Sequence, residues 1–275
     1  MFTLNCKGRL LIIDSPVVMG IINATPDSFY SGSRKSTVDT ALNTAEQMLN
    51  EGATILDIGG QSTRPGSKKI SVDEELLRVI PVIEAISKKF PQSFISIDTY
   101  HASVAKQTVD AGAAIVNDIS AGSMDAEMLP TVAELKVPFV CMHMKGTPQN
   151  MQQNPVYENV SKEVFDFFNE RIKACQSIGI KDILIDPGFG FGKTIEHNFI
   201  LLKELNIFKQ LQKPLLLGIS RKSMIYKTLN ISAEEALTGT TVLNTIGLLN
   251  GANILRVHDV KEAVETIKII SAYQQ

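Results

Sequence analysis

Short apolar runs alternate with longer amphipathic stretches along the whole chain. The runs have the length of strands and cover residues 17–23, 54–59, 94–98, 115–118, 138–143, 182–186, 214–220 and 254–257. The longer stretches, typical of helices, cover residues 37–51, 73–90, 101–111, 125–135, 161–178, 196–208, 233–250 and 260–272. Because the runs are apolar without strict alternation, they predict strands that are buried on both faces of a parallel sheet.

Eight strand–helix repeats in a chain of 275 residues predict an α/β fold, a (β/α)₈ TIM barrel. We expect one domain over residues 1–275. The alternative is a doubly wound open sheet, which usually has a glycine-rich turn after its first strand, whereas residues 23–27 contain no glycine. Before the first repeat, residues 2–5 and 9–13 flank Cys6-Lys7-Gly8 and predict an N-terminal β-hairpin over the N-terminal mouth of the barrel.

Composition and charge exclude several classes of protein. Lys and Arg number 27 against 29 Asp and Glu, a net charge of −2, which excludes a strongly basic nucleic-acid binder. The apolar runs are far shorter than the ~20 residues that span a bilayer, and the N-terminus lacks a signal-peptide pattern. The three cysteines, Cys6, Cys141 and Cys175, are widely spaced and predict neither a disulfide framework nor a zinc site. We therefore expect a cytoplasmic protein with no nucleic-acid or membrane partner.

Polar residues stand at the carboxyl end of every predicted barrel strand, where barrel enzymes place their chemistry. They are Asn23, Asp57, Asp98, Asn117, Asp118, His143, Asp186, Ser220, Arg221, Lys222, Arg256 and His258. Any one of them is explained equally well as a cap of a loop or helix. All eight ends together predict one shared site.

The glycine-rich segment after Asp186 resembles two nucleotide-binding motifs but matches neither. The run Gly188–Lys193 is not a phosphate-binding Walker loop, because position 187 is Pro where that loop needs Gly, and a dinucleotide fingerprint would need Gly in place of Lys193. We expect a bare loop that lets a flat ligand approach the backbone. Among the histidines, His143 is open to a core or a substrate role, and no pair has metal-ligand spacing.

Five segments, in order, resemble the dihydropteroate synthase family of pterin-binding enzymes. They are residues 23–29, 57–66, 186–193, 220–223 and 256–258, and the resemblance extends over nearly the whole chain. It implies that 6-hydroxymethyl-7,8-dihydropterin diphosphate is joined to 4-aminobenzoate with release of pyrophosphate and with Mg²⁺ on the diphosphate. It also implies a homodimer formed through the later helices.

The resemblance further implies roles for individual residues. The catalytic residues would be Asp98, Asp186, Lys222 and Arg64. Hydrogen bonds to the pterin ring would come from Asp98, Asn117, Asp186 and Lys222, a stacked plane from Arg256, and apolar walls from Met142 and Phe191. The diphosphate would be held by Asn23, Thr63, Arg64 and His258, with Asn23 also on Mg²⁺, and aminobenzoate would lie near Lys222, Ser223 and Pro65.

One position departs from the family pattern. Ser31 stands where the family usually has an Asp, while Asp27 is retained. Ser31 favours a second hypothesis, a catalytically silent pterin-binding relative. A third hypothesis is a methyltetrahydrofolate:corrinoid methyltransferase, which shares the barrel and the Asp, Asn and Asp at strand ends but has no use for a diphosphate cradle.

Overall fold

A computed structural model describes residues 1–24, 34–62, 66–67 and 69–274. Within these residues, ten strands run in chain order: β1 Phe2–Cys6, β2 Arg9–Ile13, β3 Val17–Asn23, β4 Ile55–Gly59, β5 Phe94–Asp98, β6 Ile115–Asp118, β7 Phe139–Met142, β8 Ile183–Asp186, β9 Leu216–Leu217 and β10 Ile254–Val257. The α-helices of the described ranges are α1 Arg34–Glu51, α2 Val72–Lys89, α3 Ala102–Ala111, α4 Met128–Leu135, α5 Val160–Ser177, α6 Ile195–Lys203, α7 Ser223–Leu229, α8 Leu237–Leu249 and α9 Val260–Tyr273. A 3₁₀ helix, Leu205–Leu211, follows α6.

The eight parallel strands form the predicted barrel. Their order is β8-β7-β6-β5-β4-β3-β10-β9, and a bridge between Ile185 and Leu215 joins the two ends of the sheet. The Ile185 amide donates to the Pro214 carbonyl at 3.0 Å across this seam. The (β/α)₈ fold predicted from the sequence is confirmed, and the open-sheet alternative is wrong.

The N-terminal hairpin, β1 and β2, is also confirmed. Its two-residue turn uses Lys7 and Gly8 with φ of 54° and 84°, the left-handed conformation that tight hairpin turns need. Leu4 and Leu11 pack with barrel-interior residues such as Met19 and Ile55, so one face of the hairpin closes the bottom of the barrel. Hydrophobic burial on this face holds the hairpin in place.

Two elements differ from the sequence-based expectation. The strand predicted over residues 214–220 is reduced to Leu216–Leu217, because the chain turns at Arg221, whose φ is 55°. The following seven-residue helix α7 was not predicted, since it is too short to show a helical period. Together these changes put Lys222 at the N-cap of α7, at the upper rim of the barrel.

Candidate active site

Strand alternation builds the site directly above an apolar layer. Side chains two residues apart on a strand face the same side, so each interior apolar residue is followed by a second interior position nearer the carboxyl end. Ile55, Ile115, Val140, Leu184, Leu216 and Ile254 belong to the buried interior cluster at the hairpin end. The positions two residues later are Asp57, Asn117, Met142, Asp186, Gly218 and Arg256.

Five of these six residues, all but Asp57, line a cavity at the carboxyl end of the barrel. Its full lining is Asp98, Asn117, Ile119, Met142, Asp186, Phe191, Gly218, Lys222 and Arg256. Seven of these were predicted site residues, from six different strand–loop units. The structure therefore brings the predicted pterin residues together, although their roles remain predictions.

Arg256 lies between two carboxylates inside this cavity. Its Nε donates to Asp57 at 2.7 Å and its Nη2 to Asp98 at 2.6 Å. The Asn117 amide donates to the same Asp57 oxygen at 3.1 Å. Asp57 is fully buried and binds two predicted pterin residues, although the sequence analysis placed it only among the polar strand ends and assigned it no individual role. Its position two residues after Ile55 is the signal that identifies it as an interior residue.

Burial and neighbouring like charges shift the pKa values of the acidic side chains that line the cavity. Burial, with Asp57, Asp118 and Asp186 nearby, raises the pKa of Asp98 to about 7, against the opposing charge of Arg256. Burial also raises the pKa of Asp186, and the Lys222 ammonium is the largest influence in the other direction. For the same reason, burial lowers the pKa of Lys222 to about 8. Such shifts are typical of functional clefts.

The glycine-rich loop after β8 contacts Asp186 and Lys222. The Gly188 amide donates to Asp186 at 2.8 Å, and the Lys222 ammonium donates to the Phe189 carbonyl at 2.5 Å. The Lys222 Nζ also lies 4.8 Å from the centre of the Phe191 ring. Gly188, Gly190 and Gly192 all have positive φ, so side chains at these positions would be strained.

The loops after β9 and β10 are tied to each other. The Ser220 hydroxyl lies 3.0 Å from His258 Nδ1, which places His258 at the rim of the cavity. Arg221 forms a two-pronged ion pair with Asp259, at 2.8 and 2.7 Å. Arg221 was one of the polar strand-end residues expected in the shared site. Its guanidinium instead joins the two loops, and its neighbour Lys222 faces the cavity.

The remaining predicted residues divide into two groups. Asn23 is exposed at the carboxyl end of β3, beside Gly59 of β4, and Ser223 is the first residue of α7. Thr63, Arg64 and Pro65, and the first-loop residues Asp27 and Ser31, lie outside the described residues. Of the four residues predicted to hold the diphosphate, Asn23 and His258 lie within the described residues.

His143 has a core role rather than an exposed one. It is buried, and its Nδ1 lies 2.9 Å from the buried Lys193 ammonium. Burial, reinforced by the charge of Lys193, lowers the pKa of His143 well below its ordinary value of 6.5. Of the two roles left open by the sequence, the buried position of His143 outside the cavity lining favours the core role.

Comparison with known proteins defines the class. Residues 19–258 match the family described as pterin binding enzyme. The chain belongs to this family.

The relatives within the family are dihydropteroate synthases. The enzyme of Escherichia coli K12 is 46% identical over 268 residues, which cover 97% of this chain and 94% of that protein. The Yersinia pestis dihydropteroate synthase, solved with a sulfonamide drug, has a TM-score of 0.94 at 42% identity and 99% coverage of both chains. The Xanthomonas albilineans dihydropteroate synthase, solved with 4-aminobenzoic acid, has a TM-score of 0.93 at 41% identity, covering 99% of this chain and 98% of that one. The resemblance seen in the motifs is confirmed.

Proposed function

We propose that this protein is a dihydropteroate synthase, acting as a single barrel domain in folate biosynthesis. It condenses 6-hydroxymethyl-7,8-dihydropterin diphosphate with 4-aminobenzoate to give 7,8-dihydropteroate and pyrophosphate. The observation that carries the proposal is the convergence of Asp98, Asn117, Asp186, Lys222 and Arg256 on one cavity. This set offers hydrogen bonds to every polar edge of a pterin ring and a flat cation for its face.

The pterin recognition follows from donor and acceptor chemistry. The Asp186 carboxylate accepts from the adjacent ring N–H and exocyclic amine, and Asn117 both donates and accepts along the neighbouring edge. Asp98 takes a further ring proton, and Lys222 donates to the ring carbonyl and its adjacent nitrogen. The Arg256 guanidinium stacks on the ring as a plane. Met142 and Phe191 supply apolar walls.

The diphosphate requires a cradle of hydrogen-bond donors at the rim. Asn23 and His258 are assigned to it, together with Thr63 and Arg64. His258 is held by Ser220, which donates to or accepts from its Nδ1 at 3.0 Å. Aminobenzoate is assigned to the neighbouring space beside Lys222 and Ser223, where a hydroxyl and an ammonium suit a carboxylate.

A Mg²⁺ ion is the implied cofactor, and the residues present fit an ion that is held mainly by the substrate. Within the described ranges, no three His, Cys, Asp or Glu side chains are grouped to hold a metal. Asn23, with its exposed amide oxygen, is the protein ligand that we assign. This suits a cation that keeps waters and is bound mainly through substrate phosphates. When bound, Mg²⁺ offsets the negative charge of the diphosphate.

The reaction exchanges one bond at the pterin methylene carbon. The C–O bond to diphosphate breaks with its electron pair on oxygen, and the aminobenzoate nitrogen forms the new C–N bond and loses a proton. The positive charge that develops on the pterin is stabilised by Asp98 and Asp186, and the departing charge by Arg64 and His258. Neither a covalent enzyme intermediate nor a strong base is required.

A homodimer is proposed through α8. Val242, Ile246 and Leu249 follow one another at helical spacing and are 52%, 37% and 45% exposed. An exposed apolar stripe on one helix face is typical of a surface that another protein covers.

We also propose that the protein acts in the cytoplasm, because its three cysteines form no disulfide, as is usual in a reducing compartment. Among the described helices, none combines the length and apolar character that crossing a membrane requires.

The test is product formation by the purified protein. Wild-type protein with pterin diphosphate, Mg²⁺ and aminobenzoate is expected to form 7,8-dihydropteroate, measured by chromatography. Asp186→Asn is expected to lower turnover by about 100-fold or more, as loss of a transition-state electrostatic group does. The matched control is Asp166→Asn, in an exposed pair with Lys162, and it is expected to leave turnover unchanged. Tight pterin binding by the wild type without product would instead indicate a silent relative.

A further inference from the structure

Lys193 carries a buried ammonium group that the proposed reaction does not use. Only 2% of its surface is exposed. Its Nζ lies 2.9 Å from His143 Nδ1, 3.0 Å from the Gly188 carbonyl and 3.1 Å from the Phe191 carbonyl. An ammonium has three N–H donors, so these three acceptors satisfy it completely.

Burial shifts both members of this pair toward their neutral forms. Burial, with the charge of Lys193, lowers the pKa of His143 well below its ordinary value, and a neutral imidazole with its proton on Nε2 can accept a hydrogen bond from Lys193 at Nδ1. Burial also lowers the pKa of Lys193 well below its ordinary value; the Asp186 carboxylate opposes this shift, and the charges of Lys222 and Lys145 add to it. Among the described residues, the contacts that hold the Lys193 Nζ are therefore carbonyl oxygens and an imidazole nitrogen.

The segment that Lys193 holds is the glycine loop of residues 188–192. A Cβ on Gly188 would lie 1.9 Å from the His143 carbonyl, and one on Gly192 would lie 2.2 Å from the Lys145 carbonyl. The loop therefore packs directly against the chain that follows β7. Both Gly188 and Phe191 turn their carbonyls to the same ammonium, so Lys193 fixes both ends of a four-residue arc.

That arc is also what orients three predicted pterin residues. The Gly188 amide binds Asp186, the Phe189 carbonyl receives Lys222, and Phe191 provides a wall of the cavity. A shift of the arc would move all three together, although Lys193 itself does not line the cavity. The positions of Asp57, Asn117 and Arg256 do not depend on it, because they are joined to each other.

We propose that Lys193 is a positioning residue for the pterin subsite: its buried ammonium fixes the loop of residues 188–192 and thereby aligns Asp186, Lys222 and Phe191. The inference rests on the proposed function, since it assigns the loop to pterin binding. A purely structural lysine would affect the stability of the barrel. A positioning lysine affects pterin affinity beyond any loss of stability.

The test compares Lys193→Met and Lys193→Gln with a matched control. The control is Lys7→Met, because the Lys7 ammonium also donates to a backbone carbonyl, that of Val109, at the opposite end of the barrel. Calorimetry gives the pterin Kd, steady-state kinetics the aminobenzoate KM, and thermal unfolding the Tm. Lys193→Met is expected to weaken pterin binding by about 10- to 100-fold, the effect of losing hydrogen bonds to a charged group.

The expected pattern is specific to a positioning role. The aminobenzoate KM of the Lys193 variants is expected to rise as well, because Lys222 is also assigned to the aminobenzoate site. Lys193→Gln, which keeps two N–H donors, should recover part of the pterin affinity. Lys7→Met should lower the Tm without changing the pterin Kd. Unchanged pterin affinity in folded Lys193→Met would overturn the proposal.

Two further outcomes are distinguished by design. If neither Lys193 variant folds, Gln152→Ala decides, because the exposed Gln152 side chain donates to the Gly190 carbonyl of the same loop at 2.6 Å. A smaller but measurable loss of pterin affinity is then expected, and no loss would overturn the proposal. If the wild-type protein binds no pterin, the proposed function is wrong. If the wild type turns over pterin diphosphate and the variants bind pterin as tightly as the wild type, only the Lys193 inference is wrong.

Discussion

Asp57→Asn is the substitution whose consequences the structure defines most sharply. One oxygen of the fully buried Asp57 receives Arg256 at 2.7 Å and Asn117 at 3.1 Å. The amide keeps the shape of the side chain and removes the charge. Hydrogen bonds to a charged group contribute about 1.5–3 kcal/mol each, so the variant is expected to lose roughly that amount at Arg256. Arg256 would then depend on Asp98, at 2.6 Å, for its remaining carboxylate.

The greater dependence of Arg256 on Asp98 in this variant competes with pterin binding. In the proposed complex Asp98 accepts a hydrogen bond from the ring, and in Asp57→Asn Arg256 keeps that same carboxylate and, at position 57, only a neutral amide oxygen. We therefore expect pterin affinity to fall by about 10- to 100-fold, equivalent to roughly 1.4–2.8 kcal/mol. Calorimetric titration with the pterin measures this directly. The control is Asp182→Asn, which removes the charge of the side chain that accepts from the Asn5 amide at the opposite barrel end. An Asp57→Asn variant that binds pterin within a factor of about two of wild type would refute the reasoning.

Three further predictions concern charge and surface. Glu75 is fully buried, neither of its carboxylate oxygens has a hydrogen bond within the described residues, and burial raises its pKa from 4.5 to about 7. Because the folded state holds this proton more tightly, stability is lost as pH rises from about 4.5 to 7. Chemical denaturation at pH 5 and pH 8 should therefore show wild type losing up to ~3 kcal/mol relative to Glu75→Gln, and parallel curves would contradict this. Pterin affinity should be highest at a pH between the pKa of Asp98, about 7, and the pKa of Lys222, about 8. Binding needs Asp98 as a carboxylate and Lys222 as an ammonium. Lys222→Arg should raise the pH above which pterin affinity falls, because arginine stays protonated at higher pH. If that pH is unchanged, a group other than Lys222 is responsible for the loss of affinity. Finally, Ile246→Lys should convert the proposed dimer to a monomer in sedimentation, because it places a charge on the exposed face of α8; an unchanged dimer would exclude this face.

The sequence was sufficient for the fold because its signals are local. Each barrel strand is a short apolar run, and the turn at Lys7 and Gly8 specifies the hairpin by its own conformational preference. Strand ends in a parallel barrel meet at one rim, so Asp98, Asn117 and Asp186 could be placed together without knowledge of any contact. The seam between Ile185 and Leu215, by contrast, depends on closure of the whole sheet.

Residues whose roles depend on tertiary partners were the ones missed. Asp57 carries no motif of its own for holding Arg256, 199 positions away in the chain. Arg221 looked like a ligand-binding cation, and only the proximity of Asp259 shows why it faces away. Lys193 ended a glycine motif, and its buried contact with His143 is 50 positions distant. Strand alternation from the apolar layer could have revealed Asp57, whereas the other two require the folded chain.

The central claim is tested most directly by pyrophosphate release from the purified protein. The mixture contains pterin diphosphate and Mg²⁺, with and without 4-aminobenzoate. The account predicts release that depends on the amine and matches dihydropteroate formed mole for mole. Absence of release together with absence of pterin binding would contradict it, because the cavity of Asp98, Asn117, Asp186, Lys222 and Arg256 would then not be a pterin site.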